Sequence, residues 1–122
     1  MTGLLLLAAL LTAGLDQATK RLVATPLINM RGSLLPLTLR QAGVAWVLVV
    51  ACVASVVALA SPLPALAAVG LGLAAGGATG NLADRATRGG VVDFIVVGRW
   101  PAFNVADAAM TCGLLAAAWS LL

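Results

Sequence analysis

The stretch AGVAWVLVVACVASVVALASPLPALAAVGLGLAAGGATGNL, residues 42–82, contains no charged side chain. A membrane crossing takes about 20 mostly apolar residues, so this run is long enough for two crossings. The break is written into it. Ser61-Pro62-Leu63-Pro64 places two prolines where one helix must stop and the next can begin. Two apolar helices joined by a tight turn form the centre of the fold, at about 42–60 and 64–82.

Two further spans flank this pair, at about 3–23 and 103–122. The first is apolar through Leu15 and polar near its end. It lacks a basic leading region and a clear small-x-small cleavage site, so it reads as a retained span rather than a removed signal peptide. The composition agrees: of 122 residues, 62% are hydrophobic and 9% charged, against roughly a quarter charged in soluble domains. The reading is an all-α membrane protein, one domain over 1–122, with four transmembrane helices.

The charges cluster. Asp16, Lys20, Arg21, Arg31 and Arg40 form one window; Asp84, Arg85, Arg88, Asp93, Arg99 and Asp107 form the other. Four spans place both windows on one side of the membrane. Leu37-Thr38-Leu39-Arg40 alternates weakly, and the β-branched and aromatic run 91–97 is bracketed by Gly89-Gly90 and Gly98. A small β-like or re-entrant element is therefore expected in the polar-side loops. The arginines flank apolar spans without a basic stripe, which excludes a nucleic-acid binder. There is no His, and Cys52 and Cys112 lie in apolar runs as buried free thiols. That pattern offers no metal site, and nothing calls for an organic cofactor.

Several polar residues have two readings. Asp16 and Lys20 are four apart and share a helix face. Asp16 lies about 20 Å along the first span, two-thirds through a core of about 30 Å. The pair is either a snorkelling lysine with its counter-ion or part of a site. Asn81, Asp84 and Arg85 either finish a helix whose dipole favours a cation or belong to the same site, while Arg88 reads as a solvated interfacial charge. Gly72, Gly76 and Gly80 form a flat ridge for helix packing, and Gly80 could instead leave room beside the polar groups. Asn104 and Asp107 are three apart at the start of the fourth span, where a carboxylate could be a simple cap. Asp93, in an apolar run, has no such structural excuse and must find partners or neutralise.

If Asp93 and Asp107 meet, like charges resist ionising together and one proton is shared. One carboxylate then takes a proton from water while the other donates to a carbonyl oxygen. Ser33, Ser55, Ser61 and Ser120 have no His to activate them, so a serine nucleophile is not the reading.

Four strings carry a resemblance: Leu15-Asp16-Gln17-Ala18-Thr19-Lys20, Gly80-Asn81-Leu82-Ala83-Asp84-Arg85, Val91-Val92-Asp93-Phe94-Ile95 and Trp100-Pro101-Ala102-Phe103-Asn104-Val105-Ala106-Asp107. In this order they resemble the lipoprotein signal peptidase (signal peptidase II) family, four-helix aspartic peptidases of bacterial membranes. The resemblance implies that Asp93 and Asp107 are the catalytic pair. It implies that Asp16, Lys20, Gln41, Gly43, Asn81, Arg85 and Asn104 orient the pair or bind substrate. It implies a monomer among the lipids of the bacterial plasma membrane, with the site towards the periplasmic or outer face. The substrate would be a prolipoprotein carrying diacylglycerol on its lipobox cysteine, cut just before that cysteine.

The chain departs from the family in three ways. Gln41-Ala42-Gly43-Val44-Ala45-Trp46 has Gln where the family has Asn. The polar loops are short. The termini lack the basic residues common on the cytosolic side, so the bias of Lys and Arg towards the cytosol points the site inward, against the family orientation. Two other functions fit the composition: a relative that binds lipidated substrate without cutting it, and a small proton-coupled exporter using Asp16. The crowding of polar residues at one end, away from the midplane, disfavours the exporter.

Overall fold

The computed structural model describes residues 1–23, 37–60 and 62–122. Arg31, Ser33 and Ser61 lie outside the described residues. Four helices follow in order: α1 (Thr2–Val23), α2 (Leu39–Leu59), α3 (Ala65–Arg88) and α4 (Val105–Leu121). α1, α2 and α3 are each long and apolar enough to cross a membrane, and α4 is a shorter apolar helix of 17 residues.

α3 is the central helix. It packs most extensively on α4 and α1, and α2 packs principally on it. Small residues permit this. A Cβ at Gly72 or Gly76 would overlap the backbone carbonyls of Leu5 and Ala9 on α1, so the ridge predicted from the sequence is the α1 contact. On the other face of α3, Gly70 and Gly113 of α4 sit against each other's carbonyl oxygens. With helices this close, the apolar core is modest in size: Leu5, Val53, Leu63, Ala67, Ala68, Leu71 and Ala117. Dispersion across close backbones, rather than exclusion of water, is what joins helices in lipid.

The ends of the helices explain the differences from expectation. α3 runs six residues beyond 82, to Arg88, because Asp84, Arg85 and Arg88 are helix-compatible and the backbone ladder is indifferent to hydropathy. Gly89, in the left-handed region at φ 74°, stops it. The alternating Leu37–Arg40 stretch is not a strand. Thr38 caps α2, which has already started at Leu39. In the 91–97 run the β character amounts to one isolated antiparallel bridge, Ile95 to Phe103, and there is no strand among the described residues. Gly89-Gly90 and the turn at Gly98 (φ 53°) leave too few residues to extend the pairing. The two cysteines also differ from expectation. Both are free and exposed on the outer surface of the bundle, because α2 and α4 bury only narrow stripes against α3.

Candidate active site

The polar ends of α1, α3 and α4 and the loop between α3 and α4 converge. Lys20, at the end of α1, is fully buried rather than snorkelling. Its ammonium lies 2.6 Å from Asp16 and 2.8 Å from Asp84. It also donates to Asn81 Oδ1 at 3.2 Å. Asp16 and Asp84 are fully buried as well. Gln17 donates to Asp84 at 2.8 Å and to the Gly80 carbonyl at 3.1 Å. Arg88, expected as a solvated charge, turns back to Asp84 at 3.4 Å. Burying one ammonium between two carboxylates is tolerable only because every group is paired and hydrogen-bonded.

Gly80 makes room for this cluster, since a Cβ there would run into the Asp16 carboxylate. The alternative raised from the sequence, space beside a polar site, is the observed one.

Asn81 and Asn104 connect the cluster to the two candidate carboxylates. Asn81 Nδ2 donates to Asp107 Oδ1 at 2.9 Å. Asn104 Nδ2 donates to Asn81 Oδ1 and to Asp93 Oδ1, both at 3.0 Å. Asn104 and Asp107 also form a reciprocal capping box at the start of α4: Asp107 N–H to Asn104 Oδ1 at 2.9 Å, and Asn104 N–H to Asp107 Oδ2 at 3.2 Å. Asp107 is therefore a cap and a candidate site residue at once.

Asp93 and Asp107 line one open cavity of about 260 Å³, together with Asn81 and Arg85. The rest of the lining is mainly apolar, with Ala42, Ala45, Trp46 and Val49 from α2 facing Leu82, Val91 and Met110. Trp46 is held by its indole N–H donating to Thr79 at 2.9 Å. Asp93 is 4% exposed. Burial, reinforced by the nearby Asp107 carboxylate, pushes it up from an ordinary 3.8 to about 6, while Lys20 and the Asn104 hydrogen bond pull the other way.

Most of the residues singled out from the sequence come together here: Asp16, Lys20, Asn81, Arg85, Asp93, Asn104 and Asp107. Gln41 and Gly43 do not. Gln41 is the third residue of α2, and its side-chain oxygen is taken by the Thr38 backbone and hydroxyl at 2.9 and 3.1 Å. It is exposed and lies away from the cavity of the two carboxylates. Gly43 has open space around it. Two participants were not singled out as site residues, Asp84 and Gln17. Both lie in the strings that carry the resemblance, and Asp84 reads there as helix end or site, but neither is given a role.

Residues 8–122 match the family model described as signal peptidase (SPase) II. The chain belongs to the signal peptidase II family. It is 40% identical over 134 aligned positions to a lipoprotein signal peptidase of Geobacillus thermodenitrificans, covering 90% of this chain and 83% of that protein. A lipoprotein signal peptidase of Pelotomaculum thermopropionicum is 58% identical over 53 residues, 43% of this chain and 35% of that protein. The match to that relative thus spans about a third of its length. A solved bacterial membrane enzyme, determined by the in meso method at 1.9 Å resolution, superposes with a TM-score of 0.80 at 24% identity, covering 98% of this chain and 93% of that one. This last likeness bears on the fold alone. Its apolar helices make this signal peptidase II family member a multi-pass membrane protein.

Proposed function

We propose that this chain is a membrane aspartic endopeptidase that removes the signal peptide from diacylglyceryl-modified prolipoproteins, cutting before the lipidated cysteine. The observation that carries this is the shared cavity: Asp93 and Asp107 line it together, and Asn104 hydrogen-bonds both. In the active form, populated below about pH 6, the site holds one proton, on Asp93. A water between the carboxylates gives a proton to Asp107 as its oxygen attacks the scissile carbonyl carbon. Asp93 gives its proton to the carbonyl oxygen. In the second half, Asp107 protonates the leaving nitrogen, the C–N bond breaks, and Asp93 recovers a proton from the hydroxyl. Both carboxyls return to their starting state.

The apolar walls suit a substrate already anchored in the membrane, and exclusion of water strengthens the electrostatics of the pair. Asp16, Lys20, Asn81, Arg85 and Asn104 orient the pair or the substrate. The chain works as one four-span domain and as a monomer in the plasma membrane, α4 completing the bundle, with the polar end towards the outer face. Cleavage of a lipidated precursor by the purified chain tests the reading. Asp93→Asn and Asp107→Asn should each abolish it while the protein still accumulates, and undiminished cleavage by either variant would remove that residue from the mechanism.

A further inference from the structure

Each of the two candidate catalytic aspartates follows a residue whose backbone N–H is held by a second carboxylate. Asp84 Oδ2 accepts from Val92 N–H at 3.1 Å, one residue before Asp93. Asp16 Oδ1 accepts from Ala106 N–H at 2.9 Å, one residue before Asp107. Val92 and Ala106 are both fully buried, so neither N–H has water as a substitute partner. The two holding carboxylates share one cation, since Lys20 touches Asp16 and Asp84 through their Oδ2 atoms.

We infer that Asp84 is a positioning residue for Asp93, the counterpart of Asp16 for Asp107, and that Lys20 yokes the two so that the catalytic carboxylates keep a fixed separation. This rests on the peptidase reading above. The arrangement is specific to the backbone. Asp84 grips the peptide before Asp93 from the α3 side, while Asn104 Nδ2 reaches the Val92 carbonyl at 3.3 Å from the α4 side. The loop after Gly89 is thereby pinned on both edges of Val92. Ala106 lies in the first turn of α4, where N–H groups lack intrahelical partners, so Asp16 satisfies one of these while fixing the turn that carries Asp107. The charged groups around Asp93 are Lys20 from α1, Asp84 and the cavity-lining Arg85 from α3, and Asp107 from α4.

Asp84→Ala and Asp84→Asn separate the roles, because Asn keeps an oxygen for the Val92 N–H. Per folded enzyme, Asp84→Ala should lower kcat on the order of 100-fold, with KM within about two-fold, because a displacement of about 1 Å has that cost. Asp84→Asn should lose roughly ten-fold. In Asp84→Asn, the limb of the kcat/KM profile governed by Asp93 should move to lower pH, since a carboxylate that raises Asp93 is gone and Lys20 keeps one anionic partner fewer. Amide exchange gives a readout independent of turnover. Val92 should lose protection in Asp84→Ala and keep it in Asp84→Asn, with Ala106 protected in both. Unchanged kcat and pH profile per folded enzyme, or slow Val92 exchange in Asp84→Ala, would overturn the assignment. If the unsubstituted chain cleaves nothing, the peptidase reading fails, and the Val92 exchange still decides the clamp.

Discussion

Asp93→Asn should inactivate the enzyme and stabilise it in the same stroke. Asp93 is buried and its carboxyl is raised from 3.8 to about 6. At neutral pH the folded protein therefore carries an ionised group that its surroundings disfavour. Two pH units correspond to about 3 kcal/mol at 1.36 kcal/mol each. Asn removes that charge and keeps an oxygen for the Asn104 amide now donating to Asp93 at 3.0 Å. The sign follows from linkage. Below an ordinary 3.8 both folded and unfolded states are protonated and there is no penalty. It develops as pH rises from 3.8 to about 6, because there the folded state binds more protons, and it is complete above that range. The gain from Asp93→Asn should therefore be on the order of 3 kcal/mol at pH 7.5 and vanish near pH 4. Thermal unfolding in detergent, followed by the fluorescence of Trp46, Trp100 and Trp119 at one scan rate, measures it at both pH values. Equal midpoints for both proteins at pH 7.5, or a gain just as large at pH 4, would refute the reasoning.

Four other outcomes are expected. For the free enzyme, kcat/KM should fall as pH rises through about 6, where Asp93 loses the shared proton; bound substrate dries the cavity further, so the same limb of kcat should lie at higher pH, and coincident limbs would contradict this. Gly76→Ala would press a Cβ against the Ala9 backbone and should cost about 1–3 kcal/mol of stability. Gly80→Ala meets Asp16, which is pinned by Lys20 and Ala106, and should lose activity out of proportion to stability, as a melting curve beside a cleavage assay will show. Val97, exposed near the turn of the α3–α4 loop, reports orientation: in a background with Cys52 and Cys112 replaced by Ala, Val97→Cys should react with a membrane-impermeant maleimide from outside the cell, and labelling only from the cytosolic side would reverse the proposed orientation.

Much of the fold was legible because lipid imposes a simple rule: apolar runs of span length become helices. The charge-free 42–82 stretch showed two of them and the proline turn between them. Hydropathy was a poor guide to helix ends, however. It closed α3 at Leu82, whereas the ladder continues to Arg88 and stops at a residue able to take positive φ. Within the site, spacing on one helix was readable, as for Asp16 with Lys20 and Asn104 with Asp107. What spacing could not show was which faces of different helices meet. Asp84 is adjacent to Arg85 in sequence and looked like the end of a helix, yet it turns the other way, into α1. Gln41 is the converse case: its position in a motif suggested a site role, while its backbone position, third in α2 after a threonine, gave its amide to the cap.

The capping box of α4 ties the site to the order in which the membrane domain is assembled. Asp107 reaches its place only when Asn104 and the first turn of α4 have coiled around each other, and Asn104 is also the partner of Asp93. A chain with α1, α2 and α3 in the bilayer but α4 outside it would hold Asp93 without Asn104 or Asp107. On the proposed mechanism such a chain could not cut, so activity would require the fourth helix to be docked.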